Sequence, residues 1–136
     1  MRGEKSWAAD FQFAPTTQWV QITPATLSFV SEGGPLMISV DLSLLGLGGA
    51  ASYFSCRPMI DGQWAGSYGN YPYSAEWTEG LNFTSGGWRA WAKTRVYRGV
   101  PAGAHVLTIE CIKDTTAVMR VGYDTVPQSV SVVEMN

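Results

Sequence analysis

The chain has 136 residues, of which 46% are hydrophobic and only 15% are charged, and its formal net charge is −2. This length corresponds to one domain that buries about two-thirds of its unfolded surface, and the composition excludes a disordered chain. The slight negative charge argues against nucleic acid or an anionic membrane as the main partner, and no apolar run approaches the roughly 18 residues needed to cross a bilayer.

The N-terminal residues, MRGEKSWAADFQFAP, lack the apolar segment of a secretory signal. We therefore expect either that the protein is not exported by that route or that a leader has been cut and replaced. Residues 1–17 are expected to form an N-terminal arm, and residues 18–136 a single β-sandwich domain. Trp7, Phe11 and Phe13 suggest that the arm packs on another surface.

The rest of the chain predicts short strands separated by turns. The clearest strand is LMISVDLSL (36–44), in which apolar and polar residues alternate as in a sheet with one buried face. The other expected strands, in chain order, are QWVQI, TLSFV, ASYFSCRPMIDG, LNFT, WRAWAKTRVYRGV, AHVLTIECIKD, AVMRVGY and SVSVVEM. No long stretch shows the apolar period of a helix. We predict an all-β fold, an antiparallel β-sandwich or jelly roll of about eight to ten short strands.

Two features of ASYFSCRPMIDG predict its surroundings. Its inward residues are expected to be Phe54, Cys56 and Ile60, and it ends in the turn signal Asp61-Gly62. Pro58 implies a bulge or an edge position, because proline has no backbone N–H for a ladder.

The two cysteines, Cys56 and Cys111, leave two interpretations open. They could form one disulfide, but two buried thiols fit the sequence equally well. Cysteine usage therefore does not fix the compartment.

Residues for catalysis are scarce. His105 is the only histidine, and it lies in phase with Leu107 and Ile109 in an alternating strand, so we expect a partly buried structural residue. No G-x-S-x-G nucleophile elbow is present, and close sets of three or four metal ligands are absent. We therefore expect no catalytic residue, no metal, no cofactor and no enzymatic activity. One alternative is a glycosidase using Glu76 and Glu79. Another is calcium bound by lone aspartates beside turns, namely Asp61, Asp114 and Asp124.

The segment GQWAGSYGNYPYSAEW (62–77) is the richest in aromatic residues. Its rings are Trp64, Tyr68, Tyr71, Tyr73 and Trp77. Flat rings stack on sugars and also form the centres of protein interfaces. The alternative is that this connection folds over an open end of the core and seals it.

A second candidate contact is the strand that begins at Trp88. Alternation places Arg89, Trp91, Arg95 and Tyr97 on one face, together with Lys93. Arginine mixed with aromatic rings is typical of interface cores, although the arginine stems could equally lie over exposed rings. One face of each strand is buried in the domain and the other is available. We expect the face that carries the arginines and aromatic rings to be the one available to a partner.

The order of several segments resembles that of a known group of proteins. QWVQI, TLSFVSEGGPLMISV, the MIDG turn, RVYRGVPAGAHVLTIECIKD and AVMRVG are arranged as in small jelly-roll domains of tailed-phage virion proteins, which are similar to C1q and tumour-necrosis-factor domains. VPAGAHVLTIE resembles their penultimate hairpin, in which Pro-Ala-Gly-x-His leads into a core strand. The resemblance covers roughly residues 18–134, and the aromatic-rich insertion at 62–80 departs from it.

Such domains are commonly trimers that serve as tail-fibre heads, tail-tip modules or capsid decorations. The resemblance implies a non-enzymatic virion surface protein, made in the host cytoplasm, that forms a homotrimer. It also implies contacts with other virion proteins, or with a host receptor or glycan. The alternative, from a different class, is a carbohydrate-binding module that uses the five rings between Trp64 and Trp77 as a stacking platform.

Overall fold

The computed structural model describes most of the chain. The described residues are 1–8, 11–13, 18–47, 53–69, 77–80, 88–113, 118–121 and 128–135. Within them the chain forms twelve β-strands and one short 3₁₀ turn, Ala65–Gly69. The strands are β1 (Arg2–Trp7), β2 (Phe11–Phe13), β3 (Val20–Gln21), β4 (Leu27–Ser31), β5 (Leu36–Leu47), β6 (Tyr53–Ile60), β7 (Gln63–Trp64), β8 (Trp77–Gly80), β9 (Trp88–Tyr97), β10 (Gly103–Lys113), β11 (Val118–Val121) and β12 (Gln128–Glu134).

The first sheet is built around β5, the longest strand. β9 pairs with β5 along one side. Along the other side, β12 pairs with the first half of β5 and β11 with the second half, so these two strands lie end to end. β1 and β2 pair in turn with the outer edges of β12 and β11. The sheet therefore has four rows, two of which are interrupted.

The second sheet is built around β10 and β6, which pair with each other. β4 and β3 lie end to end along the outer side of β10, and β7 and β8 lie end to end along the outer side of β6. All of these pairings are antiparallel. The prediction of an all-β antiparallel sandwich is confirmed. Four rows among the described residues are interrupted and contain two strands each. Twelve strands are described because β1, β2, β7 and β8 add to the eight strands predicted within the described ranges, whereas the predicted strand LNFT lies outside them.

The core lies between the two sheets and follows the alternation in the sequence. In β5 the buried residues are Leu36, Ile38, Val40, Leu42 and Leu44. In β10 and β6 they include His105, Leu107, Ile109 and Cys111, together with Phe54, Cys56 and Ile60. Burying an aliphatic or aromatic side chain contributes about 1.5–3 kcal/mol. Because a shift of one residue would turn every one of these side chains outward, the pattern determines the register of the central strands.

The first residues of the chain belong to the first sheet. β1 pairs with β12 in continuous register, and Trp7 at its end is buried. Phe11 in β2 packs against the core. The residues expected to form an arm thus supply an edge row. The sequence of β1 shows no alternation because Trp7 is its one buried side chain.

The turn between β4 and β5 is held by the last strand. The Glu134 carboxylate accepts hydrogen bonds from the backbone N–H groups of Glu32 and Gly34, at 2.9 and 2.6 Å, and from the Ser31 hydroxyl at 3.0 Å. The bond from the Glu32 N–H is the main reason why the pKa of Glu134 is lowered. The end of β12 and the SEGGP turn are thereby fixed to each other.

Candidate functional site

The aromatic segment interrupts an edge row of the second sheet. β7 pairs with one end of β6 and β8 with the other, and Arg57 and Pro58 lie between the two pairings. After Trp64 the chain departs from the edge row into the 3₁₀ turn, and β8 begins at Trp77. Pro58 has no N–H to give to a ladder, which favours an interruption beside it. The sequence predicted a bulge or an edge position for Pro58. Pro58 lies instead in β6, beside the gap between the edge strands β7 and β8.

The part of this excursion that the structure describes packs against the domain itself. Trp64 and Tyr68 are half-buried and contact the hydrophobic core. The Tyr68 hydroxyl donates a hydrogen bond to the Ile60 carbonyl at 3.2 Å. Gly99 approaches the Tyr68 backbone so closely that a Cβ would overlap the Tyr68 carbonyl. The 3₁₀ turn therefore covers the side of the sandwich between β6 and the connection that follows β9.

The structure does not describe the side chains of the other three platform residues or of the two candidate glutamates. Tyr71, Tyr73 and Glu76 lie outside the described residues. Trp77 and Glu79 lie in β8, where their backbones pair with β6, and their side chains lie outside the description. For Trp64 and Tyr68, the structure shows contact with the core.

Strand β9 turns its aromatic face inward. Trp91 and Tyr97 are 1% and 0% exposed, and the Trp91 ring stands edge-on to Phe54 with centroids 5.3 Å apart. The opposite face carries small side chains such as Ala90 and Thr94, which are exposed. The expectation that the aromatic face is available to a partner is therefore wrong for Trp91 and Tyr97. Val96 lies on this outer face and is half-buried, and the side chain of Trp88 lies outside the description. Burying Trp91 and Tyr97 removes far more apolar surface from water than burying Ala90, Ala92 and Thr94 would.

The basic residues of β9 lie at the rim of the sandwich. Lys93 and Arg95 share the inward face with Trp91, yet they are only half-buried. In the part of the chain that the structure describes, β9 pairs with β5 alone, so long side chains can reach past the rim while their stems cover apolar surface. The Lys93 ammonium lies 5.8 Å from the centroid of the Trp91 ring. Inward-pointing charges on an edge strand also oppose pairing with another chain. The side chain of Arg89 lies outside the description.

Cys56 and Cys111 lie directly opposite each other in the β6–β10 ladder and form a disulfide bond. Both are fully buried on the inner face of the sheet. The sequence alone leaves this pairing open, because the register between β6 and β10 decides whether the two sulfur atoms meet. The bond joins residues 55 positions apart at the centre of the second sheet.

The one histidine is held by acceptors at both ring nitrogens. His105 Nδ1 lies 2.6 Å from Asp61 Oδ2, and Nε2 lies 2.9 Å from the carbonyl oxygen of Pro101. Because both partners accept, both bonds form only when both nitrogens carry hydrogen, as in the imidazolium ion. The bond to Asp61 is the main cause that raises the pKa of His105 and lowers the pKa of Asp61. His105 therefore clamps the β6–β7 turn to the β9–β10 connection.

The turn that supplies this carboxylate is the predicted Asp61-Gly62 turn. Both residues have left-handed backbone angles, with φ of +52° and +78°, as a two-residue hairpin turn requires. Asp61 exchanges hydrogen bonds with Val106: its N–H donates to the Val106 carbonyl at 2.9 Å, and its Oδ1 accepts from the Val106 N–H at 2.8 Å. Both carboxylate oxygens are thus engaged by the protein.

Within the described residues, neither a metal-binding cluster nor a membrane-spanning helix is found. No group of three His, Cys, Asp or Glu side chains within them is placed to hold a metal. Of the aspartates considered for calcium, Asp61 is engaged as above, and Asp114 and Asp124 lie outside the described ranges. No helix in the described part of the chain is long and apolar enough to cross a membrane.

A shallow depression of about 320 Å³ opens on the outer face of the second sheet, beside the His105 clamp. Two exposed valines on neighbouring strands, Val30 in β4 and Val106 in β10, line it. Sequence reasoning did not single out these valines. The available signal was that each occupies the polar, outward phase of an alternating strand.

Comparisons with known proteins identify a shared fold. No protein-family model matches the chain, and a search of curated proteins found no match. Among solved structures, the chain is similar to that of the infectious bursal disease virus Gt strain, with a TM-score of 0.58 and 10% identity over 98% of this chain and 37% of the viral chain. The VP2 subviral particle of the same virus gives a TM-score of 0.56, with 10% identity and coverage of 98% and 37%.

T=1 particles derived from this virus give a TM-score of 0.55, with 10% identity over 98% of this chain and 36% of the viral chain. The chain thus spans little more than a third of the viral chains that it matches. At this identity the likeness shows the fold alone. The fold is a jelly-roll sandwich of the kind found in proteins of virus particles.

Proposed function

We propose that this chain is a non-enzymatic structural domain of a virus particle and that it works by self-association. The observation that carries the proposal is the likeness of nearly the whole chain, 98%, to proteins of virus particles. Fold alone does not define function, so the proposal also depends on how the chain uses its chemically reactive side chains.

Those side chains are engaged in holding the fold. Both nitrogens of His105 face protein acceptors, and both cysteines are joined inside the core. A histidine that acts as a general base needs a free nitrogen within reach of a substrate proton. The arrangement of His105 therefore supports a structural role and a non-enzymatic protein.

The more specific form of the proposal places the domain on the virion surface of a tailed phage, as a capsid decoration or as a tail-fibre or tail-tip module. There it would form a homotrimer and contact other virion proteins or a host receptor. The segment order described above supports this form. Capsid or tail genes beside the coding sequence, and binding of an antibody against the chain to purified phage particles, would support the placement. Particles without the chain would contradict it.

Self-association is tested by the mass of the purified chain in solution. Size-exclusion chromatography with light scattering should give a multiple of the chain mass of 14.8 kDa, and a homotrimer should give three times that value. A chain that stays monomeric up to its solubility limit would contradict the proposal.

A further inference from the structure

Four outward side chains on β4 and β10 form a small alternating pattern, which we call the valine patch. Val30 lies opposite Ala104 in the ladder, and Ser28 lies opposite Val106. All four side chains are exposed, Val30 at 60% and Val106 at 41%. The two large side chains are therefore diagonal to each other, and the two small side chains occupy the other diagonal.

Strand propensity explains only half of this pattern. Valine favours strands even at exposed positions, but alanine and serine do not. Single exposed apolar residues are common on soluble proteins, whereas here two valines line the same depression of about 320 Å³. The patch has both knobs and the holes that would receive them.

The diagonal arrangement is complementary to itself. A two-fold axis that lies in the plane of the contact and runs along the strands would exchange the two strands of the patch in the facing copy. Val30 of one copy would then stand over Ala104 of the other, and Val106 over Ser28. Two-fold contacts use the same surface on both subunits and require this kind of self-complementarity.

The charges around the patch also suit contact with an identical surface. Asp61 is the acidic residue that lines the depression, and its side chain is 43% exposed. Its oxygens accept from the His105 ring and from the Val106 N–H. When the His105 ring is protonated, it balances the charge of the carboxylate 2.6 Å away. Two facing copies then bring no unbalanced like charges together, which in an interface would cost several kcal/mol.

We infer that the valine patch is a two-fold contact between two copies of this chain. The inference rests on the proposed self-association and specifies one of its surfaces. Four side chains cover far less than the ~800 Å² per partner of a standard interface, so the patch forms the centre of a weak contact. A two-fold contact of this kind joins the proposed trimers in pairs or links them into a closed particle.

The test is sedimentation velocity over a wide range of protein concentration with four forms of the full chain. Val30→Glu places a carboxylate at the centre of the contact. A104V/V106A keeps two valines and one alanine but sets the valines directly opposite each other, at positions 30 and 104. The same two-fold axis would then place valine over valine, so this variant removes the diagonal while preserving the apolar composition. Thr94→Glu adds the same charge to an exposed site on the other sheet and serves as the control.

The two patch variants should raise the dissociation constant of the two-fold step by about tenfold or more and halve the limiting mass, whereas Thr94→Glu should leave both unchanged. If Val30→Glu unfolds, the doubly substituted chain decides the question. If the wild type associates and all variants associate equally well, the inference is overturned while self-association stands. A monomeric wild type overturns both.

Discussion

The Asp61 carboxylate and the His105 imidazole meet at 2.6 Å, although 44 positions separate them in the chain. Asp61 is placed by a two-residue turn, and His105 by the inward phase of β10. The ring also reaches the Pro101 carbonyl, so one side chain connects three parts of the fold at the same end of the sandwich.

This clamp gives the folding stability a defined pH dependence. The pKa of His105 is raised above its ordinary 6.5, so the contribution of His105 is full below that value and is lost as pH rises through the raised pKa. The pKa of Asp61 is lowered below 3.8, so its contribution is full above 3.8 and is lost as pH falls through the lowered pKa. The clamp should stabilise the fold most between these two ordinary values.

Because His105 is the only histidine, its imidazole resonances can be followed by NMR without assignment by mutation. Asp61→Asn should return the midpoint of this titration toward its ordinary value, while asparagine still tolerates the left-handed turn. Between pH 3.8 and 6.5, where the clamp contributes fully, this variant should lower the unfolding free energy by about 1–2 kcal/mol, a figure that already allows for the solvent exposure of Asp61. An unchanged His105 midpoint in this variant would show that the clamp does not hold the proton.

The disulfide should contribute strongly to stability. Replacing both Cys56 and Cys111 by alanine should lower the unfolding free energy by about 2–4 kcal/mol, because the bond closes a long loop in the unfolded chain. Urea unfolding with and without reductant measures this. Reductant should destabilise the wild type and leave the double variant unaffected. Equal responses of the two proteins would contradict the bond.

The inward orientation of β9 predicts opposite outcomes for neighbouring substitutions. Trp91→Ala removes a ring that is 1% exposed and should cost about 3–5 kcal/mol. Thr94→Ala, on the exposed face of the same strand, removes the hydrogen bond between the Thr94 and Ser39 hydroxyls and should cost only about 0.5–1.5 kcal/mol. Denaturant unfolding of both variants tests the orientation. It is refuted if Thr94→Ala proves the more damaging change.

Substitutions at two glycines can distinguish the cost of an unfavourable backbone conformation from the cost of a steric overlap. Gly62 and Gly99 both have left-handed φ angles, +78° and +85°, but a Cβ at Gly62 would meet nothing within 4 Å, whereas one at Gly99 would overlap the Tyr68 carbonyl. Gly62→Ala should therefore cost only the conformational term of about 1–2 kcal/mol.

Gly99→Ala should cost more than Gly62→Ala and should also displace the 3₁₀ turn at Ala65–Gly69. Thermal unfolding of the two variants, together with Tyr and Trp fluorescence, distinguishes the two effects. Equal losses of stability would mean that the turn does not pack closely on the connection after β9.

The central strands could be predicted because their information is local. In LMISVDLSL and AHVLTIECIK the alternation identifies the buried phase, and both sheets bury the residues so identified. Asp61-Gly62 predicted its own turn for the same reason, since the two residues provide the left-handed conformations that the turn needs.

Alternation was not sufficient for the strands at the edges of the sheets. In β9 both phases contain residues that suit a strand, and only packing against Phe54 decides that Trp91 faces inward. In β1 most side chains are exposed, so the sequence shows no alternation. The strand exists because it pairs with β12, which lies more than a hundred positions away. The candidate site likewise could not be predicted from local sequence. The pairing of strands brings Val30 next to Ala104 and Asp61 next to His105, although both pairs are far apart in the chain.

By itself, therefore, the sequence determined the all-β class, the inward residues of the central strands and the Asp61-Gly62 turn, because these depend on the period of a strand and on the backbone preferences of single residues. Only the tertiary structure decided the Cys56–Cys111 bond, the inward rings of β9, the His105 clamp and the valine patch. Each of these depends on which strands pair and in what register, and that choice is set by the burial of the whole core.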